Sequence, residues 1–83
     1  GLNELDIIDL SAFPNPSNTK WNIKTSNTLI TAVEVFNSAG KRVVSLENNS
    51  KEVVISTKGL ANGIYISRVI TDLGTKSFLL IRK

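Results

Sequence analysis

Apolar residues recur at every second position along most of this chain. In KWNIK, Trp21 and Ile23 fall on one face of an extended segment, and in TAVEVFN, Val33 and Val35 do the same. A period of two is typical of a β-strand, because successive side chains of a strand point to opposite faces. We therefore expect these four residues to face a hydrophobic core.

Four further segments continue this pattern, and each is rich in valine, isoleucine or aromatic residues: RVVSL, EVVIS, GIYISRVI and TKSFLLIR. The segments between them contain turn-forming residues. NSAGK (37–41) and TDLGT (71–75) supply glycines that can take a positive φ, and the polar ENNS (47–50) is predicted to form a loop. In TKGLANG (57–63), Leu60 is expected to close one end of the core.

Apart from a weak one in the first ten residues, no segment carries a sustained helical stripe, and none could cross over a parallel sheet. Short strands at a spacing of about ten residues therefore predict an all-β fold, an immunoglobulin-like antiparallel β-sandwich of about seven strands. The length of 83 residues suits a single domain. We expect residues 1–9 to be a linker remnant with the start of the first strand, and residues 10–83 to form the sandwich.

Two prolines bracket one asparagine in AFPNPSN (12–18). Pro14 and Pro16 fix φ near −65° and push Phe13 and Asn15 towards extended geometry. Because proline cannot donate to a strand ladder, this corner is expected at a sheet edge or where the chain crosses between sheets. It is either a plain bend or a stiff element with a role in function.

The chain contains no histidine and no cysteine. A Ser-His-Asp triad, thiol chemistry, disulfides and the usual imidazole or thiolate zinc ligands are therefore excluded for these residues. The carboxylates show no calcium-loop spacing, and ELDIID (4–9) is the nearest approach. We expect no enzymatic activity, no cofactor and no metal site.

The net charge of +3 comes from basic residues that are spread along the chain and interleaved with acids. This distribution is typical of a solvated surface and does not favour nucleic-acid binding. No apolar run approaches the roughly 18 residues of a membrane span, so we expect no direct membrane insertion. The domain is expected to be a monomer.

Because methionine is absent, the chain is expected to be a piece of a larger protein. Arg82 and Lys83 follow directly after an apolar strand, so Lys83 is expected to be the parent's C-terminus.

The proline corner, FNSAGKRV (36–43), LANGIYISRV (60–69) and the final IRK together resemble the type IX secretion C-terminal sorting domain family of Bacteroidota. The order and spacing agree from about Leu10 to Lys83. The chain departs from the family pattern at Phe13, where a tyrosine is common, and at Asn37, where many members have an aspartate. The positions that match family motifs are Pro14, Asn15, Pro16, Gly40, Lys41, Gly63 and Tyr65.

This resemblance implies a domain that acts as an address and catalyses nothing. A cargo fused to its N-terminus would enter the periplasm by an ordinary signal peptide, and an outer-membrane translocon would recognise the folded domain and export it. A sortase-like peptidase would then cleave before the domain and leave the cargo anchored at the cell surface. The alternatives are an immunoglobulin-like accessory or carbohydrate-binding module of a secreted enzyme, and a structural spacer or adhesin repeat.

The last predicted strand, SFLLIRK (77–83), is the candidate recognition element. Phe78 and Leu80 fall on one face and Leu79 and Ile81 on the other, so a strand covered on one side only would expose an apolar pair. The segment is either a docking edge, which pairs with a partner by strand addition, or an ordinary core strand.

On the docking interpretation, the two basic residues at the end of the strand also suppress self-aggregation until the partner binds. The candidate residues for translocon recognition are Phe78, Leu79, Leu80, Ile81, Arg82 and Lys83.

Two aromatic residues admit a second interpretation. A lone tryptophan on a strand suggests a sugar-stacking platform, but the alternation of Trp21 with Ile23 favours the core. The ring of Tyr65 is likewise expected inside the sandwich, with its hydroxyl bonded to a loop carbonyl.

Overall fold

A computed structural model describes residues 9–13 and 19–83 of the chain. Residues 1–8 and the corner formed by Pro14, Asn15 and Pro16 lie outside the described residues. The described residues form seven strands and no helix, which confirms the predicted all-β class. The strands are β1 (Leu10–Phe13), β2 (Lys20–Thr25), β3 (Ile30–Phe36), β4 (Arg42–Ser50), β5 (Glu52–Ser56), β6 (Gly63–Thr71) and β7 (Gly74–Arg82).

The strands form two antiparallel sheets, which confirms the predicted sandwich. One sheet has the order β1-β2-β5 and the other the order β4-β3-β6-β7. Both sheets contribute fully buried side chains to one core, as the alternating sequence pattern predicts. The largest of these side chains are Trp21, Ile23 and Ile55 from the three-stranded sheet and Ile30, Val33, Val35, Val69 and Leu80 from the four-stranded sheet.

One predicted loop is wrong. Residues 47–50 continue β4, with Glu47 paired to Ala32 and Ser50 paired to Ile30. Strand β4 lies at the edge of its sheet. Polar side chains are tolerated in an edge strand because they remain in contact with water. The Asn48 amide also donates to the carbonyl of Ile30 at 3.1 Å and so adds a side-chain bond to the ladder.

Between β4 and β5, the chain passes from one sheet to the other through a single residue. Lys51 separates the end of β4, in the four-stranded sheet, from the start of β5, in the three-stranded sheet. The Lys51 carbonyl accepts a hydrogen bond from the amide of Thr25 at 2.8 Å, so this connection is bonded to the end of β2.

The predicted turns are confirmed where glycine allows a positive φ. Gly40 has a φ of 84° in the turn between β3 and β4, and Gly74 has a φ of 139° where the hairpin enters β7. Asn37 closes the first of these turns, because its Oδ1 accepts hydrogen bonds from the amides of Ala39 at 3.0 Å and Lys41 at 2.9 Å. Leu60 packs against the core, as predicted.

Candidate recognition surface

Strand β7 lies at the end of the four-stranded sheet order and pairs with β6 along its whole length. Its inner face belongs to the core: Leu80 is fully buried and Phe78 packs against the core cluster. On its outer face, the side chain of Leu79 is 55% exposed. The predicted division of SFLLIRK into an inner and an outer face is therefore confirmed.

The end of β7 is bonded to the other sheet and to the loop between β5 and β6. Trp21 Nε1 donates a hydrogen bond to the carbonyl oxygen of Ile81 at 3.2 Å. Arg82 Nε donates to the carbonyl oxygen of Thr57 at 3.1 Å, and its guanidinium also donates to Asn62 Oδ1. Arg82 therefore has a structural function, which the sequence pattern did not indicate.

Tyr65 occupies the place predicted for it. Its ring is buried opposite Leu80 and lies 5.8 Å from the Trp21 ring, centroid to centroid, at an angle of 58°. Its hydroxyl donates to the carbonyl oxygen of Ala61. Trp21 is fully buried as well, so neither ring offers the exposed face that a sugar platform needs.

The family-motif positions within the described residues gather at one end of the four-stranded sheet. The register places Phe36 beside Ile66 and Gly63 beside Arg82, so the ends of β3 and β7 meet the start of β6. The turn that contains Gly40 and Lys41 follows directly after Phe36. We call this end of the sandwich, formed by residues 37–41, 63–65 and 81–83, the motif end.

The outer face of the four-stranded sheet carries an apolar strip next to the motif end. Ile66 pairs with Leu79, and Ile64 lies two residues before Ile66 on the same face of β6. The exposed fractions are 54% for Ile64, 47% for Ile66 and 55% for Leu79. We call these three residues the outer apolar strip.

Two arginines border this strip. Arg68 is the next outward-facing residue of β6 after Ile66, and Arg42 is paired with Phe36 across β3 and β4. Both reach the single carboxylate of Glu34, at 2.9 Å from Arg42 Nη1 and 4.0 Å from Arg68 Nη1. Each arginine side chain remains more than half exposed.

In the part of the chain that the structure describes, no group of three or more acidic side chains converges as metal ligands would. A pocket of about 170 Å³ is lined by Asp9, Ser11, Lys24, Thr25 and Ser26, which is smaller than the 300–1,000 Å³ typical of ligand sites. The Ser26 hydroxyl donates to Asp9 inside it, so its polar groups bind each other.

Comparison with known protein families identifies the family of this chain. The sequence profile of the secretion system C-terminal sorting domain matches residues 11–82. The chain belongs to this family. Its members are sorting signals for type IX secretion, so the domain serves to deliver a cargo at its N-terminal side to the cell surface or the extracellular space.

The resemblance noted in the sequence is thereby confirmed over almost the whole chain, and the family is not a catalytic one. A comparison of this chain with curated proteins found no match. Among the described residues, no helix has the length and apolar character needed to cross a membrane.

Proposed function

We propose that this sorting domain carries an N-terminally fused cargo from the periplasm through the outer-membrane type IX translocon. A sortase-like peptidase then cleaves before the domain, and the cargo stays anchored at the cell surface. The domain acts as a folded address and as a substrate of both machines.

The observation that carries this proposal is that the family-motif positions within the described residues gather beside the end of β7. Gly63 pairs with Arg82, Tyr65 pairs with Leu80, and the turn at Gly40 lies at the same end of the sheet. A receptor that recognises a folded domain needs such a fixed arrangement, because residues from distant parts of the sequence form one surface only in the folded state.

The six candidate residues of β7 and the chain end divide into three groups. Phe78 and Leu80 contribute to the core and Arg82 binds Thr57, so these three support the fold. Leu79 presents more than half of its side chain to solvent and Lys83 is exposed, so contact with the translocon falls to them. The carbonyl of Ile81 is held by Trp21, and this bond fixes the position of the strand end.

The proline corner has a proposed role in release. Pro14 and Pro16 would make a stiff transition that holds the upstream cleavage point away from the folded body. Replacing both prolines by alanine should leave export intact and slow the release of cargo by the peptidase. Unchanged export and release would reduce the corner to a plain bend.

A fusion experiment tests the address function. Residues 1–83 are placed behind a periplasm-directed fluorescent protein in a bacterium with type IX secretion, and the fluorescent protein without the domain is the control. We expect surface delivery of the fusion in the competent strain and periplasmic retention in a translocon-deficient strain. Retention of a folded fusion in both strains would contradict the proposal.

The contribution of β7 is tested by charge reversal at its exposed end. We expect Lys83→Glu to reduce delivery without changing the thermal unfolding midpoint, and Lys58→Glu, at an exposed loop residue, to leave delivery unchanged. Charge reversal at Arg82 is unsuitable, because it would break the bonds to Thr57 and Asn62. Normal delivery of the Lys83 variant would exclude this residue from recognition.

A further inference from the structure

The outer apolar strip departs from what a solvent-facing sheet ordinarily shows. The outer face of an antiparallel sheet is expected to be polar, yet Ile64, Ile66 and Leu79 lie side by side on two paired strands. On the other sheet, the exposed Val54 and Phe13 are separated by Asn22, which pairs with both. Single exposed apolar residues need no explanation, whereas an adjoining group marks an interaction surface.

The charge beside the strip is net positive. Strands β6 and β7 contain no aspartate or glutamate, and they contribute Arg68 beside the strip. Glu34 is the carboxylate nearest to Arg68, and it is shared with Arg42. Two guanidinium groups with one carboxylate leave a surplus positive charge, and guanidinium groups that are half exposed retain donors for a further carboxylate.

From these observations we propose that the outer apolar strip binds a protein surface of the secretion machinery that presents aliphatic side chains flanked by carboxylates. The inference rests on the proposed sorting function and specifies the chemistry of its partner. Aliphatic contact supplies affinity at the centre of such an interface, and the complementary charges around it align the two surfaces.

A lipid surface fits the strip less well. Interfacial lipid binding relies on tryptophan and phenylalanine with clustered basic residues, whereas Trp21 is buried here and the strip itself consists of aliphatic side chains. A second copy of the chain fits poorly as well. Two copies that meet through this face would bring their surplus positive charges together.

The test uses substitutions on strands that keep the backbone pairing intact. In the fluorescent fusion, Ile66→Thr is combined with Leu79→Thr, because threonine favours strands and removes apolar surface. The matched control is Val54→Thr, which has 54% exposure and lies on the other sheet. Arg68→Gln removes the positive charge, and Arg68→Lys keeps the charge but removes the guanidinium group.

We expect the double variant to lower surface delivery at least about tenfold, the loss associated with a central interface contact. Val54→Thr and Arg68→Lys should be delivered like the unmodified domain, and Arg68→Gln should be delivered less. Thermal unfolding of each purified 83-residue variant shows whether it folds, and a double variant that unfolds is replaced by Ile64→Thr alone.

The outcomes separate this inference from the sorting function. If the unmodified fusion is not delivered, the sorting function fails. If it is delivered and the double variant is delivered equally well, the strip is not the docking surface and the sorting function stands. An Arg68→Gln variant with unchanged delivery would overturn the carboxylate part of the inference.

Two measurements on the purified chain address the other occupants. The chain is sedimented with vesicles of phosphatidylcholine and phosphatidylglycerol, and its oligomeric state is measured by sedimentation velocity. We expect no binding to vesicles and a monomer. Vesicle binding or dimerisation that the double variant abolishes would overturn the inference in favour of lipid or a second copy.

Discussion

Trp21 Nε1 donates a hydrogen bond to the carbonyl oxygen of Ile81, which is 60 residues away in the sequence and lies in the other sheet. This bond joins the second strand of the domain to its last strand. Trp21 is at the same time fully buried and in contact with the ring of Tyr65. One side chain therefore fills the core and fixes the end of β7.

We predict that Trp21→Phe lowers the free energy of unfolding by about 2 kcal/mol, because it removes both the hydrogen bond and part of the packed ring. Tyr65→Phe, which removes only the hydroxyl bonded to Ala61, should cost about 1 kcal/mol. Urea denaturation measures both values. A loss for Trp21→Phe no larger than that for Tyr65→Phe would contradict a joint contribution of the Trp21 bond and ring.

We predict that Arg82 stabilises the domain through geometry as well as charge. Its guanidinium bonds both Thr57 and Asn62, and a lysine ammonium cannot reproduce this planar arrangement. Arg82→Lys should therefore lower the free energy of unfolding by about 1 kcal/mol although the charge is kept. The exposed neighbour is the control, and Lys83→Gln should stay within about 0.5 kcal/mol. Equal stability of Arg82→Lys and the unmodified domain would contradict this account.

Ser67 gives a prediction of opposite sign. Its hydroxyl is fully buried opposite Phe78 and has no hydrogen-bond partner. Because an unsatisfied buried hydroxyl costs free energy, Ser67→Ala should raise the free energy of unfolding by about 1 kcal/mol. Ser77→Ala, at an exposed position of β7, should change it by less than about 0.5 kcal/mol. A less stable Ser67→Ala variant would indicate that the hydroxyl is bonded in solution.

The geometry of the turn closed by Asn37 allows an aspartate at this position. The side-chain oxygen accepts two backbone hydrogen bonds, and either oxygen of an aspartate can do the same. We predict a change within about 0.5 kcal/mol for Asn37→Asp and a loss of about 1 kcal/mol for Asn37→Ala. Thermal unfolding checks both, and an alanine variant as stable as the aspartate variant would exclude the oxygen as the cause.

The sequence pattern predicts the strands and their inner faces because both depend on local alternation. Trp21, Ile23, Val33 and Val35 lie in the core for this reason. The error at residues 47–50 has a non-local cause: this polar stretch is a strand because β3 lies beside it and Asn48 bonds the Ile30 carbonyl. Propensity alone does not contain that neighbour.

The candidate surface could be predicted only in part. The alternation places Leu79 on the face opposite Phe78 and Leu80, but its pairing with Ile66 depends on the register of β6 and β7. The function of Arg82 likewise depends on where the loop of residues 57–62 lies relative to the last strand. Contacts between the sheets depend on topology, and the period of two along the chain does not predict them.

The connection at Lys51 has a mechanical consequence. Two Cα–Cα steps of about 3.8 Å each join Ser50 to Glu52, so the two sheets cannot move far apart at this corner unless β4 or β5 first leaves its partner strand. Thr25 reinforces the corner through its bond to the Lys51 carbonyl. Under a pulling force, the domain should therefore resist until strand pairing breaks and then yield as one unit, which suits a module that has to stay folded while a cargo is drawn behind it.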